Sequence, residues 1–122
     1  VFIKNLRAGS SVGYGRTFRC RKPITVATIP VGYGDGYPRR LSNSGEVLIR
    51  GRRCRVIGTV TMDMTMVDVT AVTDAAVGDE AVLAGRQKDD EITVCDVASM
   101  TGAIPYETVC GISSRVPRIF IQ

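Results

Sequence analysis

A chain of 122 residues, 44% of them hydrophobic, is long enough for one packed core, too short for two, and too apolar to stay disordered. The absence of histidine excludes Ser-His-Asp and Cys-His nucleophile arrangements, and with Cys20, Cys54, Cys95 and Cys110 scattered without a Cys-x-x-Cys pair it leaves no common metal cage. The net charge of +4 conceals an asymmetry: residues 1–60 carry twelve Lys/Arg against two Asp/Glu, or +10, and residues 61–122 carry four against ten, or −6.

Many Val and Ile residues, thirteen glycines and short apolar runs predict β-structure. A first strand is expected over residues 1–6, ending at Ala8-Gly9-Ser10-Ser11. Gly13-Tyr14-Gly15 follows. A tyrosine between two glycines has little to pack against locally, so it is either an ordinary turn residue or one aimed by the rest of the fold. Residues 17–20 alternate like a half-buried strand. Arg21-Lys22-Pro23 breaks it, and residues 24–29 form a stronger strand that delivers the chain to Val31-Gly32-Tyr33-Gly34-Asp35-Gly36-Tyr37-Pro38-Arg39-Arg40. Glycine at every second position lets backbone amides approach whatever the loop faces. The loop can therefore wall a small-molecule site, or simply turn between strands. It is not a dinucleotide fingerprint, since Pro38 and two arginines stand where a helix should open.

A hairpin is expected next, residues 46–49 and 53–57 turned by Arg50-Gly51, leading to Thr61-Met62-Asp63-Met64. Residues 64–69 alternate, with Met64, Met66 and Asp68 on one face and Thr65, Val67 and Val69 on the other; the methionine face reads first as core filler. A turn at 77–80 precedes a strand at 81–84, a polar loop at 85–90 and a strand at 91–93. Thr93 with Asp96 three residues on is a capping-box signal for a short helix stopped at Gly102. Pro105 opens a second. Residues 115–121 read as a final strand. Closely spaced strands without long crossover helices predict a mostly β, antiparallel fold: a small Greek-key-like β-barrel or sandwich with two short helices near the C-terminal end.

No run approaches the roughly 18–20 apolar residues of a membrane span. The cysteines read as free thiols of a reducing compartment. Val1 in place of Met reads as a trimmed start. Tyr, Lys and carboxylates remain as candidate acids or bases, and an Asp35–Asp63 pair is conceivable, although nothing in the sequence brings the two together. The basic half could recognise phosphate or carboxylate, face a nucleic acid, or be one solvated side of a hairpin.

Gly13-Tyr14-Gly15, Ile29-Pro30-Val31-Gly32-Tyr33-Gly34-Asp35-Gly36-Tyr37-Pro38-Arg39, Val56-Ile57-Gly58-x-Val60-x-Met62-Asp63-Met64, Pro105-Tyr106-Glu107 and Ser114-Arg115-Val116-Pro117-Arg118 together resemble, in order and spacing, the C-terminal domain of alanine racemases. The resemblance covers nearly the whole of residues 1–122. It implies a β-domain that follows a TIM barrel, absent here, in which a lysine binds pyridoxal 5'-phosphate. It further implies an isomerase interconverting L- and D-alanine by two bases on opposite faces of Cα, supplying D-alanine for peptidoglycan in the cytoplasm.

By the same resemblance Tyr14 is the base for the L-isomer, and the Met62 backbone N–H, with Asp63 beside it, holds the substrate carboxylate. Tyr106 binds the cofactor phosphate, while Tyr33 and Arg39 line the access channel. Thr59 departs from the arginine that several members carry there. The implied partners are the protein's own barrel and a second subunit in a head-to-tail homodimer, with Tyr14 and Met62 serving the partner's site and Tyr106 its own. The small amino-acid substrate completes that set, with no nucleic acid and no membrane. Two other readings stand beside this one: a related serine or lysine racemase domain, and a basic β-barrel binding single-stranded nucleic acid, for which seven aromatics make a poor stacking platform.

Overall fold

The computed structural model describes residues 2–12, 15 and 18–121, with Phe2 described in its backbone only; Tyr14 lies outside the described residues. Ten short strands and two helices follow in order: β1 (Phe2–Leu6), β2 (Ser11–Val12), β3 (Phe18–Arg19), β4 (Ile24–Ile29), β5 (Glu46–Ile49), β6 (Arg52–Arg55), β7 (Thr65–Asp68), β8 (Ala81–Val82), β9 (Gly85–Gln87), β10 (Asp90–Ile92), α1 (Val94–Thr101) and α2 (Pro105–Cys110). Every pairing is antiparallel. Two three-stranded sheets, β1-β4-β7 and β6-β5-β8, form the body, with β2-β3 and β9-β10 as separate hairpins.

The central strands β4 and β5 are the most deeply buried, each having a strand on either side. Alternation along β4 sends Val26 into a cluster with Val12, Cys20, Ile24 and Ile57, and Ala27 into the larger cluster with Leu41, Val47, Leu48, Val56 and Val67. On β7, Thr65 and Val67 are buried while Met66 and Asp68 are half-exposed, the alternation expected from the sequence. Met66 packs on the smaller cluster, but Met64 is exposed, so the methionine face is only partly core filler.

Three expectations are corrected. The sheets do not close into a barrel: strands of two to six residues leave each sheet open, and an isolated bridge between Val56 and Val67 links the two larger ones. Residues 115–121 form no strand; they take no ladder partner, and Ile119, Phe120 and Ile121 are exposed. The polar loop at 85–90 is instead the β9-β10 hairpin, turned at Lys88 and Asp89 with Lys88 at φ 52°.

The helices follow their sequence signals. Thr93 Oγ1 accepts from the Asp96 N–H at 3.0 Å while Asp96 Oδ2 accepts from the Thr93 N–H at 2.8 Å, and Gly102 closes α1 in the left-handed region. The Arg40 guanidinium donates to the Thr101 carbonyl at 3.1 Å, tying the end of α1 to the 3-10 turn Arg39–Leu41.

Part of the charge asymmetry is folded away. Arg50 pairs with Asp74 and Asp79, and Arg53 with Asp90 and with Glu46, so arginines of the basic half meet carboxylates of the acidic half. No helix among the described residues is long and apolar enough to cross a membrane.

Candidate functional site

The glycine loop faces the chain's own backbone. The Tyr33 N–H donates to the Thr61 carbonyl and the Gly34 N–H to the Met62 carbonyl, both at 2.9 Å. A Cβ at Gly32 would strike the Thr61 carbonyl oxygen, and one at Gly34 would strike the Arg115 guanidinium and stand 2.8 Å from Met62 Cγ. Glycine is required here so that two backbone segments can touch. What the loop walls first is therefore a turn of the protein.

That turn is Thr61-Met62-Asp63-Met64. Its ends are closed by the Thr61 N–H to the Met64 carbonyl at 3.0 Å and by the Met64 N–H to Thr61 Oγ1 at 3.1 Å. Met62 and Asp63 stand at the tip, Met62 with 47% of its surface exposed, and neither tip N–H has an acceptor among the described residues. Two adjacent backbone donors on a rigid, exposed turn are a site for one anionic group.

Asp35 and Asp63, which the sequence could not bring together, share one guanidinium. Arg115 Nη2 donates to Asp63 Oδ1 at 2.6 Å, and Arg115 Nε lies 3.4 Å from Asp35 Oδ1. The two carboxylates hold the Arg115 guanidinium even more firmly protonated than usual, Asp63 by its hydrogen bond foremost. Asp35 Oδ2 also accepts the Gly32 N–H at 3.0 Å.

Tyr33 and Arg39 come together with Thr59, Val60 and Thr61 around one surface depression of about 560 Å³. Tyr33 is half-exposed, and the Arg39 guanidinium has no ion pair among the described residues. Tyr106 does not line that depression. It stands on α2 with 79% of its surface exposed, its hydroxyl without a hydrogen-bond partner among the described residues. Tyr14 lies outside the described residues. Val12, two residues before it, is buried, and a Cβ on Gly58 would come within 2.8 Å of the Val12 carbonyl oxygen. Tyr37 belongs to the core, where burial pushes its phenol well above the ordinary value.

Sequence reasoning gave Arg115 and Arg118 no role of their own. Arg118 donates to the carbonyls of Ile112, Ser113 and Val116 and so braces the turn that carries Arg115. No local signal announces the Arg115 contacts, because its carboxylate partners lie 52 and more residues away. Among the described residues no group of His, Cys, Asp or Glu could hold a metal ion.

The sequence profile of the alanine racemase C-terminal domain matches residues 1–120. The alanine racemase of Symbiobacterium thermophilum is 55% identical over 118 residues, which are 97% of this chain and 31% of that protein. Among solved structures, the alanine racemase from Bacillus anthracis with bound L-Ala-P superposes with a TM-score of 0.93 at 40% identity, covering 99% of this chain and 31% of that one. The enzyme from Bartonella henselae with covalently bound pyridoxal phosphate gives 0.90 at 36% identity, covering 98% and 32%. The chain thus spans about a third of the length of the relatives it matches, nearly end to end, and it belongs to the alanine racemase C-terminal domain family.

Proposed function

We propose that this chain serves a pyridoxal-phosphate-dependent alanine racemase as the domain that holds the substrate carboxylate and supplies the second base. The observation that carries the reading is the Met62 turn: two unpaired amides at the tip of a loop pinned by the glycine segment suit a carboxylate. Tyr33 and the unpaired Arg39 guanidinium, around a depression shared with Thr61, suit the approach of an anionic substrate.

The described residues fit one edge of the cofactor. The exposed Tyr106 hydroxyl can give a phosphate one hydrogen bond. Lys4, Lys22 and Lys88 are all exposed and outside the depression, so covalent anchorage belongs to the rest of the enzyme. When bound, the cofactor supplies an electron sink for the pair left as the Cα proton departs.

The domain's own part is to bind and to move a proton. The Met62 amide orients the substrate by its carboxylate. Tyr14 Oη takes the proton of the L-isomer and returns it in the reverse direction. A free phenol titrates near 10, about three units above neutrality, so positive charge or hydrogen bonds from the assembled site must favour the phenolate. In this reading Tyr14 and Met62 serve the other subunit of a head-to-tail homodimer and Tyr106 serves its own, and the D-alanine produced in the cytoplasm feeds peptidoglycan synthesis.

Tyr14→Phe in the full-length enzyme should abolish most racemisation while the cofactor absorbance remains, a loss of at least about a hundredfold for a removed general base. Near-normal turnover in both directions would remove Tyr14 from that role.

A further inference from the structure

Two carboxylates beside a site meant for a third are an electrostatic problem. Asp63 is next in sequence to Met62, and Asp35 lies in the loop against which the Met62 turn is pinned. Left uncompensated, they would repel an arriving carboxylate at the short separations where Coulomb energies matter. One guanidinium answers both: Arg115 reaches Asp63 at 2.6 Å and Asp35 at 3.4 Å. It is itself held on three sides. Gly34, lacking a Cβ, leaves room for its Nη1 against the loop, Arg118 braces the turn from Ile112 to Val116, and the Ser113 N–H donates to the Asp35 carbonyl at 3.0 Å.

We propose that Arg115 is a positioning residue for substrate binding: it ties Asp63 to Asp35, holds the Met62 turn rigid, and cancels carboxylate charge beside the Met62 amide. The Arg115 side chain is half-exposed, so these ion pairs add little to stability, and what the arrangement contributes is geometry and local charge. The inference rests on the reading of the Met62 amide as the carboxylate donor. Arginine is needed rather than lysine, because a planar fork reaches two carboxylates in fixed geometry and an ammonium does not.

The test uses the full-length enzyme carrying Arg115→Gln or Arg115→Lys. For Arg115→Gln the KM for alanine should rise about tenfold or more and kcat fall by less than about threefold, the pattern of lost binding rather than lost chemistry. Arg115→Lys should fall between that variant and the wild type. A second readout is amide hydrogen exchange of the peptide spanning residues 59–66, with acetate as the carboxylate probe. Acetate should slow exchange in the wild type, and the variants should exchange faster and lose that protection.

Wild-type KM together with wild-type exchange in both variants would overturn the role. So would a drop in Tm with kcat and KM disturbed together, which would make Arg115 structural only. If Arg115→Gln does not fold, Arg115→Lys carries the test. If the wild type racemises no amino acid, the functional reading above fails, and the acetate-dependent exchange still decides whether Arg115 positions the turn.

Discussion

Tyr33 and Tyr37 stand four residues apart in one loop and have opposite surroundings. Tyr33 lies at the rim of a depression, whereas Tyr37 is 6% exposed, its hydroxyl without a hydrogen-bond partner among the described residues. A buried, unpaired phenol costs stability, so Tyr37→Phe should leave Tm unchanged or raise it, while Tyr37→Ala should cost about 3–5 kcal/mol through the cavity it leaves; thermal melts of the two variants check this. All four tyrosines stand beside glycine or proline in the sequence, which cannot tell these two apart, because Tyr37 is buried in a cluster whose members reach as far along the chain as Val97. Gly32→Ala is the complementary residue-scale test. Its Cβ would collide with the Thr61 carbonyl, and an overpacked backbone contact costs about 1–3 kcal/mol. The substitution should also displace the Met62 turn, so KM should rise in the full-length enzyme.

At the scale of the element, local chemistry was readable wherever it was complete. Arg50-Gly51 carries a turn signal in the sequence, and both residues have positive φ, 51° and 77°, as a two-residue hairpin requires. Lys88-Asp89 makes a two-residue connection too, but without glycine or asparagine it carries no hairpin signal, so the sequence of β9-β10 reads as a loop. Thr93 and Asp96 form their reciprocal cap as expected. Thr93→Ala should destabilise the domain by about 1 kcal/mol, measurable by denaturant titration. Asp79, Asp90 and Asp96 are all held below the usual carboxylate range, the first two by hydrogen bonds from Arg50 and Arg53 and the third by the Thr93 N–H. Each ionises more readily folded than unfolded, so the unfolded chain binds more protons in acid. Their stabilisation is complete above about pH 4 and is lost as pH falls through the folded values. Unfolding midpoints measured from pH 6 down to pH 3 should fall, and added salt should shrink the part due to the exposed arginine pairs.

Taken whole, the molecule is two open sheets with helices at one end and apolar side chains left outside. Ile104, Val109 and Ile112 are exposed on and around α2, as are Ile119, Phe120 and Ile121 beyond it. Patches of this kind mark contact surfaces, and the relatives are about three times as long as this chain. The 122 residues alone, mixed with pyridoxal phosphate and alanine, should show no racemisation, since every lysine they contain is solvent-exposed; measurable turnover would mean that this domain anchors the cofactor itself.

By itself the sequence determined the strands with strong alternation, the capped helices, and, through several motif blocks in fixed order, the family, because each is written in residues close together along the chain. Only the tertiary structure decided that the glycine loop grips the Met62 turn, that Asp35 and Asp63 share Arg115, and that the sheets stay open. Those contacts join segments tens of residues apart, where order along the chain says nothing about distance in space, and packing alone selects which charges and amides meet.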